Sequence, residues 1–206
     1  MTPERKERII KTLARRQANL TVVLENVFDP HNISAVMRSC DAVGIQEIHV
    51  LNTAIPRHKK WGRRSSSSAA KWLTIHQHSK LEDCLRELKA RNFKILASRL
   101  SEDSSNLYDI DFSIPIALVF GNEHSGVSDE LFAVADGCFQ IPQVGMIRSL
   151  NISVACAVTI YEAYRQKSLA GHYNHQSLSD PQLTQIFENW MLNSDQDENS
   201  SRASGE

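Results

Sequence analysis

Five short apolar runs punctuate the first two thirds of the chain: 20–24 (LTVVL), 47–51 (EIHVL), 93–97 (FKILA), 116–120 (IALVF) and 138–141 (CFQI). Runs of this length, rich in β-branched and aromatic residues, predict strands buried on both faces. Between several of them the apolar spacing turns helical, at 32–43, 79–91 and about 128–135. A β-α-β alternation of this kind predicts an α/β fold with a mostly parallel sheet. Segment 3–17, with Ile9, Ile10 and Leu13 among basic residues, predicts an amphipathic helix. Residues 151–166 are apolar nearly all round at their start (Val154, Ala155, Cys156, Ala157, Val158), as in a helix buried in a core or a subunit interface. A loop is expected over 168–179, and Asp180-Pro181 then caps a short last helix through about Leu192. The acidic 193–206 predict a disordered tail, and the Ser65–Ser68 tetrad a mobile loop.

With 206 residues, 41% of them hydrophobic, the chain is that of an ordinary globular domain with one sizeable core; collagen and coiled coil are excluded. A net charge of −1 argues against a polyanionic partner until the charges are placed. Residues 1–16 hold Arg5, Lys6, Arg8, Lys11, Arg15 and Arg16 against Glu4 and Glu7, a net of +4. Residues 57–71 hold Arg57, Lys59, Lys60, Arg63, Arg64 and Lys71 with no acid, a net of +6, beside Trp61 and Trp72. Two such clusters on an acidic body suggest a local footprint for phosphates, with Arg5, Arg8, Arg15, Arg16, Lys59, Lys60, Arg63 and Arg64 as candidate contacts. Two solvated faces are the plainer alternative.

Cys40, Cys84, Cys138 and Cys156 have no C-x-x-C spacing, and three of them sit inside apolar runs as reduced core thiols do. His76/His78 and His172/His175 lack companion ligands at zinc-like spacing, so no metal is expected. No apolar run reaches membrane-spanning length and no signal-peptide pattern opens the chain. A reducing, intracellular setting follows as the expectation.

Three segments could carry chemistry. In the first, Asp29-Pro30 opens a helix whose apolar positions Ile33, Val36, Met37 and Cys40 leave His31, Ser34, Arg38 and Asp41 on the other face. Spacing alone favours an exposed Arg38 paired with Asp41. In the second, strand 116–120 runs into Gly121-Asn122-Glu123-His124-Ser125-Gly126, a loop able to bring backbone N–H groups to a ligand. Its spacing mimics a phosphate loop, yet Val127 stands where the lysine should be, and Glu123 suits a cationic ligand better. A tight turn with no ligand reads equally well. In the third, Ile141-Pro142 to Ser153 place Ser149, Asn151 and Ser153 at the mouth of a buried helix, more polar groups than one cap needs. Neither a dinucleotide fingerprint nor a nucleophile elbow is present.

Together, N-x-x-A-x-x-R (Asn32 to Arg38), G-N-E-x-x-G (Gly121 to Gly126) and I-P-x-x-G-x-x-x-S-L-N-x-S (Ile141 to Ser153) resemble the three motifs of the SpoU/TrmH family of RNA 2′-O-ribose methyltransferases. The likeness covers about residues 20–166 with no departure at a key position. The flanking helices and the segment Leu13-Ala14-Arg15-Arg16-Gln17 are similar to members that methylate guanosine-18 of tRNA. The resemblance implies a SPOUT fold with a C-terminal trefoil knot, a homodimer, tRNA as partner, a cytoplasmic location and S-adenosylmethionine as cofactor. With the charge and composition read above, the chain is then expected to divide into a basic arm over 1–19, a catalytic domain over 20–167, a helical extension over 168–192 and a disordered acidic tail over 193–206. By motif position the cofactor would meet Ser98, Gly121, Ile141 and Leu150. Arg38 would be central to catalysis, with Asn32, Glu123, Ser149 and Asn151 placing the reactants. Since a guanidinium keeps its proton in proteins, clamping of a phosphate suits Arg38 better than general-base duty. Another tRNA or rRNA nucleotide as target, or an RNA-binding module without catalysis, is the alternative.

Overall fold

A computed structural model describes residues 2–58 and 69–203, with side chains to 193. The expectations placed on Lys59, Lys60, Trp61, Arg63, Arg64 and Ser65–Ser68 lie outside the described residues. Helices α1 (Pro3–Leu13), α2 (Pro30–Ala42), α3 (Leu81–Ala90), α4 (Asp129–Phe132), α5 (Ile152–Leu169) and α6 (Asp180–Ala203) surround strands β1 (Leu20–Glu25), β2 (Glu47–Leu51), β3 (Thr74–His78), β4 (Lys94–Ser98), β5 (Ser105–Asn106), β6 (Ile116–Phe120) and β7 (Gly137–Gln140). The sheet order is β3-β2-β1-β6-β4-β7-β5, and every pairing is parallel.

The continuous apolar runs follow from this burial on both faces. On one face Val22, Leu24, Leu118 and Phe120 pack with Ile33, Val36, Met37 and Cys40 of α2 and with Cys156, Ile160 and Ala163 of α5. On the other, Val23, Ala117 and Val119 pack with Cys84 and Leu88 of α3 and Leu131 of α4. Each large aliphatic side chain so removed from water contributes roughly 1.5–3 kcal/mol. A smaller cluster, Ile9, Leu13, Leu178, Ile186 and Trp190, fastens α1 to α6.

Five strands stand within one residue or so of their expected positions, and two were not expected. β3 reads Thr-Ile-His-Gln-His, with one apolar residue, because an edge strand has a single neighbour and half-solvated faces. β5 is two residues long. α1 ends at Leu13 and leaves Ile10 51% exposed, so the apolar stripe is Ile9 and Leu13 alone. The last helix does not stop near Leu192: α6 continues to Ala203, which corrects the shorter helix read from the sequence.

Candidate functional site

Loops leaving the carboxyl ends of β1, β4, β6 and β7 meet on one side of the sheet, where parallel α/β folds collect ligands. The loops after β4, β6 and β7 border a cavity of about 480 Å³ lined by Ser98, Gly121, Glu123, Ile141, Ser149, Leu150 and Asn151 among others. All four residues expected at the cofactor are on its wall, with Glu123, Ser149 and Asn151 of the four expected to place the reactants; Asn32 and Arg38 are not among its lining residues.

The loop after β6 is fixed by its glycines. A Cβ on Gly121 would stand 2.1 Å from the carbonyl carbon of Gly126, so only glycine permits that approach, and Gly126 has φ +71°. Asn122 and Gly126 exchange backbone bonds of 3.0 and 2.9 Å, while Asn122 Oδ1 accepts from the N–H groups of His124 (2.9 Å) and Ser125 (3.2 Å). The N–H groups of 122, 124, 125 and 126, expected to face a ligand, are therefore spent inside the loop.

What the loop offers instead is Glu123. Its Oε2 accepts from Phe28 N at 3.0 Å, and its Oε1 from Asp29 N at 3.2 Å and from Asn32 Nδ2 at 2.9 Å. Burial opposes ionisation, yet the bonds from Asn32, Phe28 and Asp29 outweigh it and hold the carboxyl below its usual range. Asn32 Oδ1 in turn accepts from Asn151 Nδ2 at 3.1 Å. Asn151 is the N-cap of α5, with Oδ1 accepting from Ser153 N at 2.8 Å and from Ser153 Oγ at 2.6 Å. One relay, Glu123-Asn32-Asn151-Ser153, thus ties the three motif segments together.

Two further ties brace the same corner and carried no sequence signal. Buried Glu25, at the end of β1, accepts from Ser128 N at 2.8 Å and from the Ser128 hydroxyl, gripping the N-cap of α4. Asn26 holds φ 50° and its carbonyl accepts from Asn122 Nδ2 at 2.8 Å. Its side-chain oxygen accepts from Thr53 N and Ala54 N, both at 2.9 Å. A short polar residue after a strand looks like any turn; its partners lie too far along the chain to be read.

Arg38 lies on the exposed face of α2, outside the cavity wall, while Ile33, Val36, Met37 and Cys40 are fully buried. Ser34, grouped with Arg38 by spacing, is 1% exposed and belongs to the buried side. Asp41 also forms an ion pair with Arg16, a contact that spacing within α2 does not show.

Arg16 itself is corrected from a phosphate contact to a buried tie. It is 1% exposed, donates to Asp41 Oδ1 and at 3.1 Å to Ile45 O, and its guanidinium lies 4.9 Å from the centre of the Trp190 ring. Burial lowers its proton affinity and Asp41 opposes that shift. Arg8 and Arg15 are exposed and Arg5 is half-buried.

Residues 19–161 match the SpoU rRNA Methylase family. The tRNA (guanosine(18)-2′-O)-methyltransferase of Thermus thermophilus is 43% identical over 193 residues, 92% of this chain and 97% of the relative. That of Escherichia coli K12 is 38% identical over 185 residues, 90% of this chain and 80% of the relative. Among solved structures, the TrmH/SpoU tRNA modifying enzyme of A. aeolicus superposes with a TM-score of 0.86 at 37% identity, covering 93% of this chain and 96% of that one. The SpoU methyltransferase AviRb of Streptomyces viridochromogenes, solved with AdoMet, gives 0.68 at 26% identity, covering 76% of this chain and 64% of that one.

Proposed function

Because the chain belongs to the SpoU rRNA Methylase family, we propose that it transfers a methyl group from S-adenosylmethionine to the ribose 2′-OH of guanosine-18 in tRNA. The observation that carries this reading is the Glu123-Asn32-Asn151 relay, which joins all three motif segments beside the cavity. The 37–43% identity to relatives named for that reaction, over nearly the whole chain, favours tRNA over ribosomal RNA.

The cavity fits the cofactor on two counts. Its volume is that of a small-molecule site. Ionised Glu123 puts a negative charge on the wall, suited to a sulfonium. Bound there, S-adenosylmethionine supplies an electrophilic methyl group. Ser98, Gly121, Ile141 and Leu150 hold it.

The protein's part is alignment and proton handling. Arg38 clamps the phosphate next to the target ribose and so points the 2′-OH at the methyl carbon; phosphate or water takes the proton. Asn32 fixes the first turn of α2, the helix that carries Arg38, against Glu123 and Asn151. Ser149 and Asn151 shape the wall that the ribose meets. The exposed Arg8 and Arg15, with Arg5, and the basic stretch at 57–71 engage tRNA phosphates.

The trefoil knot, the division into arm, catalytic domain and extension, and the cytoplasmic location belong to the same proposal. So does a second copy of the chain, because Val154 (47%), Tyr161 (52%) and Leu169 (78%) on α5, with Met146 (98%) and Ile147 (75%) before it, expose more apolar surface than a lone chain favours. Among the described residues no helix is long and apolar enough to cross a membrane. The test is transfer of labelled methyl from S-adenosylmethionine to tRNA transcripts, with the modified ribose mapped. Label at guanosine-18 is expected; label at the wobble nucleotide, or on ribosomal RNA alone, overturns the assignment.

A further inference from the structure

Across the sheet from α2, three histidines and two glutamates meet between β2, β3 and α3. The parallel register sets His49 opposite His76 and Glu47 opposite Thr74, so residues two apart on each strand share a face. His49 is fully buried, stacked on His76 with ring centroids 4.7 Å apart. The donor atoms of Glu47, His49 and His76 lie within 4.8 Å of one another.

The hydrogen bonds reveal what is missing. His49 Nδ1 meets His78 Nε2 at 3.0 Å, and His76 Nδ1 meets Glu87 Oε1 at 2.9 Å. With the ring N–H on Nδ1 in both, each Nε2 is a bare lone pair. Both Nε2 atoms are buried and neither has a hydrogen-bond partner among the described residues. Orphaned polar atoms of this sort are costly and rare. Glu47 Oε2 lies 3.5 Å from His76 Nε2, and Glu47 is itself held by Arg91.

We propose that Glu47, His49 and His76 form a site for a divalent transition ion of the Zn²⁺ class. Two imidazoles and a carboxylate are a donor set such ions take. Each ligating histidine passes its other ring N–H to an outer partner, His78 for His49 and Glu87 for His76, the pattern that fixes tautomer and ring in metal centres. His76 keeps 27% of its side chain exposed, which gives the ion a way in. Since α3 and α2 cover opposite faces of the sheet, the ion fastens the edge strand β3 and takes no part in methyl transfer. The pairs read from the sequence, His76/His78 and His172/His175, omitted His49 and the register that brings it to His76.

The full chain, stripped with a chelator, is titrated with Zn²⁺ by calorimetry and melted with and without the ion. One ion per chain and a raised melting temperature are expected. His76→Gln should weaken binding at least as much as losing an outer partner does, about tenfold or more, and Glu87→Gln by about 10–100-fold. S-adenosylmethionine binding should be unaltered in both variants, which reports that they are folded; Glu87→Gln decides if His76→Gln does not fold. No saturable binding, or binding untouched by His76→Gln and Glu87→Gln, overturns the site. Co²⁺ distinguishes the neighbouring group His49, His78 and Cys84: a thiolate charge-transfer band lost in Cys84→Ala puts the ion there and overturns the assignment to Glu47 and His76.

Discussion

Asn32 donates its side-chain N–H to Glu123 Oε1 at 2.9 Å across 91 positions of sequence, and the same amide accepts from Asn151 across 119. A buried amide used at both ends fixes the entry of α2 relative to two loops of the cavity. Asn32→Ala removes both bonds and lets α2 shift, and a displacement near 1 Å costs on the order of 10²-fold in rate. Asn32→Asp should do no better, since it sets a carboxylate against Glu123. Steady-state methyl transfer measures it, and a rate near that of the unaltered protein in both variants would mean the relay does not position the reactants.

Arg38 is exposed and outside the cavity that suits the cofactor. Arg38→Ala should therefore abolish turnover while calorimetry finds S-adenosylmethionine affinity nearly unchanged. Arg38→Lys keeps the charge but loses the bidentate fork, and should recover only a minor part of the rate. Near-normal turnover in Arg38→Ala would remove this residue from the mechanism.

Arg16 and its exposed neighbours should separate cleanly. Truncating Arg16 removes the cation over the Trp190 ring, an ion pair to the partly exposed Asp41 and the bond to Ile45 O, a loss of about 1–3 kcal/mol. Arg8→Ala and Arg15→Ala should leave stability alone, and each should lower the log–log salt slope of tRNA binding by about 0.7–0.9. Denaturant melts and binding isotherms at several salt concentrations distinguish the two behaviours; an Arg16→Ala protein as stable as its parent contradicts the buried tie.

Lys167 gives a pH signature. Fully buried on α5, its ammonium has one acceptor among the described residues, Ile114 O at 3.5 Å, and burial lowers its pKa from 10.5 to about 8 against the weaker pull of Asp111. The folded state thus binds this proton less tightly than the unfolded chain, so stability rises with pH between those two values. Lys167→Met should stabilise the protein by about 1–3 kcal/mol at neutral pH. That gain should shrink as pH climbs from about 8 toward 10.5. Melts of both proteins across that range test it; a destabilised variant at neutral pH would show the ammonium to be better served than its contacts suggest.

The α/β alternation, the buried face of α2 and the three motif segments were legible along the chain, because they rest on local spacing; α5, read as apolar all round at its start, buries Cys156 there and leaves Val154 47% exposed. β3 was not, since an edge strand with alternate histidines carries no apolar run. Which charges serve as contacts was not legible either: Arg15 and Arg16 are adjacent and alike in sequence, yet one is exposed and the other buried against Asp41. Local pattern thus yielded five of the seven strands and the segments that line the cavity. The Glu123-Asn32-Asn151 relay and the stacking of His49 on His76 emerge from the folded chain alone. The reason is physical: period and propensity are local, whereas these hydrogen bonds join residues that become neighbours only when parallel strands bring their carboxyl ends, and their registers, together.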